Sequence, residues 1–182
     1  MAGTGEILAE EVDRLANHEA NQDIRVGLTH IDDSGKATMV DVGAKSVTRR
    51  LAVAKGSVVM QAATLEIVRE NAIVKGDALG VARIAGIMGA KSTSQLIPLC
   101  HPLPLDKIEI KFRLDEERSS VEIEAIVETQ AKTGVEMEAL TAVSIAALAV
   151  YDMVKAIDRR TMIDGIKLVR KTGGKSGDIE LE

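Results

Sequence analysis

The chain has 182 residues, 46% of them hydrophobic, which suffices for one core and argues against both a disordered protein and a multi-domain one. A net charge of −5, with one Tyr, one Phe and no Trp, argues against a general nucleic-acid binder, which needs a basic surface and rings to stack on bases. The single cysteine, Cys100, excludes an intramolecular disulfide; with no signal-peptide pattern and no apolar run of membrane-spanning length, the expectation is a soluble cytoplasmic protein with neither membrane nor nucleic-acid partners.

Residues 1–27 read as a mobile N-terminal extension, because Ile7, Leu8, Val12 and Leu15 make at most one short amphipathic turn before the polar run NHEANQD. Residues 28–182 read as a single α+β domain that includes a glycine-rich C-terminal tail. Its opening, LTHI, DDSGK and ATMVDV, looks like an extended piece, a turn and a second extended piece. Val47 to Met60 is valine-rich and reads as a strand with a break at Gly56, and Gln61 to Asn71 as a helix. Asp77 is placed to cap a helix from Ala78 to Ala90, in which Gly80, Gly86 and Gly89 permit close packing. Ser92 to Leu105 holds all three prolines and must be a shaped loop. Lys107–Leu114 and Val121–Val127 alternate apolar and charged residues around the turn DEERSS, the pattern of a hairpin with one buried face.

Thr133 to Ile157 is the central helix, apolar nearly all round between Ala139 and Val150 and hence buried on several sides. Glu136 and Glu138 in its first turn and Lys155 near its end suit the helix dipole. Glu138, Thr141, Ile145, Leu148, Asp152 and Lys155 share one stripe. Asp152 and Lys155 are either a structural ion pair or an acid/base pair at the edge of a dry region, and spacing alone favours the former. Gly165 to Arg170 closes the order strand, helices, strand, strand, helix, strand: the βαββαβ, ferredoxin-like arrangement, an antiparallel sheet with helices on one face.

The residues alone supply no reaction. KTGGKSGD, Lys171 to Asp178, is no phosphate loop, since Val169 stands where that pattern needs glycine; it reads equally well as a solvated tail or as an anion-binding segment using Lys171 and Lys175. LCHP places Cys100 beside His101, but one cysteine and three histidines make a poor metal-ligand supply, so no metal site is expected. Lys75, in VKGD, reads as a solvated lysine.

Seven motifs nevertheless carry a resemblance: MVDVGAK (Met39–Lys45), KGD (Lys75–Asp77), IAGIMGAK (Ile84–Lys91), LIPLCHPLPL (Leu96–Leu105), KTGVEMEALTA (Lys132–Ala142), YDMVKAID (Tyr151–Asp158) and GGKSGD (Gly173–Asp178). Together the chain resembles the MoaC family, the cyclic pyranopterin monophosphate synthases of molybdenum-cofactor biosynthesis, from Leu28 to the C-terminus. The resemblance implies a lyase that converts 3′,8-cyclised dihydroguanosine triphosphate into cyclic pyranopterin monophosphate and pyrophosphate. It implies catalytic roles for Asp152, Lys155, Lys75 and His101. It implies substrate contacts from Leu99, Cys100, His101, Met137 and Glu138, triphosphate contacts from Arg50, Lys75, Lys171 and Lys175, and supporting carboxylates at Asp41 and Glu136. It implies no cofactor, Mg²⁺ entering only with the substrate phosphates, and a homohexamer built as a trimer of dimers with sites at the dimer interface. Two rivals stand beside it. An inactive ferredoxin-like nucleotide-binding module would leave Asp152 dispensable. A nucleotide phosphohydrolase would need a carboxylate cluster for a divalent metal, and the sequence spacing offers none that convinces.

Overall fold

The computed structural model describes residues 35–71, 76–174 and 177–181. The chain divides into two units, Met1–Val40 and Asp41–Glu182. The boundary expected at residue 27 lies outside the described residues. Residues 35–47, expected to include an extended piece, hold only an isolated bridge at Ala37 and a turn at 43–45.

Strand β1 (Thr48–Val59) is followed by helices α1 (Ala62–Arg69), α2 (Ala78–Lys91) and the one-turn α3 (Thr93–Leu96). The hairpin β2 (Lys107–Asp115) and β3 (Ser120–Ala131) precedes the long helix α4 (Glu136–Val154), then β4 (Met162–Thr172) and the two-residue β5 (Ile179–Glu180). All pairings are antiparallel, in the order β2-β3-β1-β4-β5, so the first four strands have the ferredoxin-like order that the element sequence implied.

Alternation built this sheet. On β3, Val121, Ile123, Ala125 and Val127 are buried, while Glu122, Glu124 and Glu128 lie on the outer face. There Glu124 pairs with Lys111, and Glu128 with Arg49 and Lys107. Exposed pairs of this kind contribute little stability each but settle the register, since a slip of one residue would bury them. β1 is a single strand rather than a broken one. Its irregularity is in the pairing with β4, where the register shifts between Val53 and Ala54 and again between Lys55 and Ser57. The first shift leaves Val169 as an extra residue between Leu168 and Arg170.

Helix α4 rests on β1, β3 and β4 and against α2. The core between them is made of small residues: Ala139, Ala142, Val143, Ala146, Ala147 and Val150 of α4 are all fully buried. Small side chains demand close approach, and the α2 glycines supply it. A Cβ on Gly89 would lie 2.8 Å from Ile145 Cγ1 and 3.0 Å from Ile145 Cβ. Overpacking at such a contact costs about 1–3 kcal/mol. Asp77 caps α2 as expected, its Oδ1 accepting from Gly80 N at 2.8 Å. From the same helix, Arg83 reaches β2: its Nη1 donates to Ile110 O at 2.7 Å, and its guanidinium lies 5.4 Å from the Phe112 ring centroid. By length and composition the 19-residue α4 would suffice to cross a membrane, contrary to the expectation that no run was long enough, but half of it is buried inside this domain.

β5 was not expected. Leu181 N donates to Val169 O at 2.9 Å, and Lys171 pairs with Ile179. The end of the chain is thereby returned to the sheet rather than left as a tail.

Candidate active site

The candidate residues fall into two groups, one at each end of α4. At the N-terminal end, Glu136 Oε1 accepts from Lys171 Nζ at 2.9 Å, joining the helix start to the end of β4. Arg50 projects from the helix side of β1 next to this pair of elements; its Nη2 donates to Lys132 O at 3.4 Å, and its Nε is buried without a hydrogen-bond partner. Two glycines make room for it. Gly173 and Gly174 have φ of +89° and +81°, and a Cβ on Gly174 would lie 2.0 Å from Arg50 Nη1. The glycine-rich stretch that sequence reading linked to phosphate thus serves as a cradle for an arginine. Lys132 also donates from Nζ to Gly43 O at 2.6 Å, and Gly43 N donates to Asp41 Oδ1 at 2.7 Å, so the Asp41 turn is fastened beside the same β3–α4 connection. Lys132 stands in the KTGVEMEALTA motif, but a lysine just before a helix start is too common a signal to mark it as functional.

Glu138, in the first turn of α4 and 4% exposed, faces away from solvent. Burial pushes its carboxyl above the ordinary range, and the charge of Glu136 adds to this. It lines a cavity of about 220 Å³ with Lys91, Ser94, Pro102 and Pro104. The proline-rich loop over that cavity is pinned to the sheet: the Thr129 hydroxyl donates to Pro104 O, and Asp106 N to Glu128 O at 2.9 Å. Cys100 and His101 are half-buried in this loop, as is Leu99. Burial raises the Cys100 thiol, and the Glu138 carboxylate raises it further. Met137, between the two glutamates, is exposed.

The second group is Asp152 with Lys155. Lys155 Nζ donates to Asp152 Oδ1, and this bond holds the ammonium above the ordinary lysine range. Within the single chain both side chains are more than half exposed, and Leu148, one turn before them on the stripe, is 53% exposed. The dry surroundings expected for the pair are therefore not provided by its own chain. At 1.5 Å per residue, Asp152 stands about 21 Å along the helix from Glu138. Lys75 and Lys175 lie outside the described residues. Among the described residues no three His, Cys, Asp or Glu side chains group as metal ligands.

The structure is that of a small ferredoxin-like α+β enzyme domain with a carboxylate–ammonium pair at each end of its central helix. The MoaC family model matches residues 39–174, and the chain belongs to that family. It is 60% identical over 154 residues to the cyclic pyranopterin monophosphate synthase of Pelotomaculum thermopropionicum, covering 85% of this chain and 91% of that protein. It is 61% identical over 150 residues to the synthase of the same name from Heliobacterium modesticaldum (82% and 94%), and 58% identical over 154 residues to that of Cereibacter sphaeroides (85% and 97%).

Proposed function

We infer that this chain is a cyclic pyranopterin monophosphate synthase, a lyase of molybdenum-cofactor biosynthesis. It acts on a cyclised guanosine triphosphate and releases pyrophosphate. The observation that carries the reading is the family match across residues 39–174, which spans both ends of α4 and the loop over the Glu138 cavity. In this reading Lys171, which pairs with Glu136, and Arg50 meet the triphosphate, together with Lys75 and Lys175. Leu99, Cys100, His101, Met137 and Glu138 meet the purine-derived ring, and Asp41 supports the turn beside them. Asp152 and Lys155 exchange protons with the ring and sugar carbons, with Lys75 and His101 assisting. The protein brings no cofactor, and Mg²⁺ arrives only on the phosphates. The inactive binding-module alternative has nothing in its favour.

The 21 Å between the two groups is longer than one side chain can bridge, so a second copy completes each site. An exposed apolar stripe supports this: Val81, Ile84 and Met88 of α2 are 49%, 59% and 62% exposed, and Leu148 of α4 is exposed as well. Such a stripe suits burial against a second chain. The assembly is a cytoplasmic homohexamer, a trimer of dimers with sites at the dimer interface. The deciding experiment is turnover of the cyclised triphosphate by Asp152→Asn, assayed for pyrophosphate and pterin product. A folded variant should lose about 10²–10⁴-fold in kcat. Near-native kcat in that variant would remove Asp152 from the mechanism.

A further inference from the structure

The segment that leaves α4 carries Lys155 and then has little to hold it. Lys155, Ala156, Ile157, Arg159 and Arg160 are exposed, and Ile157 reaches 52%. Asp158 is the exception in this run, at 1% exposure. Its carboxylate is saturated with donors from elsewhere in the chain. Oδ2 accepts from Gln61 N at 2.8 Å and from the Thr64 hydroxyl at 3.3 Å; Oδ1 accepts from Gln61 Nε2 and from Arg160 N, both at 2.9 Å. Gln61 is the N-cap of α1 and has no side-chain cap bond of its own, so Asp158 supplies the helix start with its acceptor from 97 residues away. On the other side, Asp158 N donates to Val154 O at 2.9 Å and Asp158 O accepts from the Thr161 hydroxyl at 3.0 Å, which closes the turn directly behind Lys155.

We propose that Asp158 is a positioning residue for the reaction, its buried carboxylate fixing the turn after α4 and so setting where the Lys155 ammonium stands beside Asp152. The inference rests on the acid/base reading of Asp152 and Lys155. A burial this complete, by an ionised side chain, is costly unless every lone pair is used. Here the bonds go to α1 on one side and to the chain behind Lys155 on the other. With the anchor gone, Lys155 would keep its partner Asp152 on the same helix but lose the fixed frame from which both meet the substrate. A misplacement of about 1 Å is enough to cost about 100-fold in rate.

The test uses the full-length protein and the cyclised triphosphate. Asp158→Asn, Thr64→Ala and Asp152→Asn are compared for kcat, KM and melting temperature, at a temperature where each is folded. Asp158→Asn should lose about 10- to 100-fold in kcat with KM within about twofold, because the phosphate contacts at the far end of α4 are untouched. Thr64→Ala, which removes one of the four bonds, should show a few-fold loss of the same kind. Native kcat in a folded Asp158→Asn, with only a lowered melting temperature, would overturn the proposal while leaving Asp152 catalytic. If Asp158→Asn does not fold, Thr64→Ala decides: native kcat there overturns it. Native kcat in Asp152→Asn would overturn the acid/base reading, and the positioning role with it.

Discussion

Lowering the pH tests the Asp158 anchor without any assay of activity. Its hydrogen bonds, first that from Gln61 N, bring the carboxyl from 3.8 down to about 2. A carboxyl depressed on folding stabilises the native state fully above its unfolded pKa and loses that contribution as the pH falls through its folded value. Nearly two pKa units correspond to about 2 kcal/mol, or about 4–8 °C in melting temperature for a domain of this size. The measurement is the stability of native protein and Asp158→Asn, by urea or heat, at steps from neutral pH to about pH 2. Other carboxylates titrate in both proteins and cancel in the difference. The native protein should be the more stable at pH 6, and its advantage should shrink by about 2 kcal/mol as the solution becomes acid, since a protonated Asp158 resembles asparagine. An advantage that stays constant down to the acid limit would show that Asp158 is not held as a buried anion.

Three further outcomes are expected. Mixing Asp152→Asn with Glu138→Gln under conditions of subunit exchange should restore about a quarter of native turnover, because half of randomly formed dimers are mixed and each of those keeps one intact site; no recovery after proven exchange would place each site within one chain. Lys171→Met should raise KM by about tenfold and flatten its salt dependence, through loss of a charge-assisted contact to phosphate; a salt-sensitive KM of native size would reduce Lys171 to a partner of Glu136. Cys100 should react with iodoacetamide at pH 7.5 more slowly than a free thiol, and Glu138→Gln should speed it by removing the charge that adds to burial; equal rates in the two proteins would mean that burial alone sets the thiol.

The sheet was legible because Ile108, Ile110 and Phe112 alternate with Lys107, Glu109 and Lys111, and a period of two has one reading when one face is buried. The α2 cap was legible because Asp77 sits next to the turn it ends. The anchor at Asp158 was not, since three of its four bonds come from Gln61 and Thr64, 94 to 97 residues distant, and nothing in YDMVKAID marks which carboxylate is inside. β5 escaped because two residues carry no period. The stripe from Glu138 to Lys155 was seen correctly as one side of a helix, but a shared side is not a shared pocket: fourteen residues of α-helix separate its functional ends, and the chain alone cannot fold that length away.

An open sheet offers its outermost strands to any other extended chain. At one margin the two-residue β5 covers β4 only at Arg170 and Lys171, and the remainder of β4 is made irregular by its two register shifts against β1. At the other the domain presents β2, where an arriving strand would meet Lys107, Glu109, Lys111 and Arg113 and find the Ile110 carbonyl already engaged by Arg83. Both borders are thus guarded against strand addition, and growth into fibrils is discouraged at each. The bare apolar stripe on α2, Val81, Ile84 and Met88, lies on the helix layer rather than on either border, so a contact made through it would add no strand to the sheet.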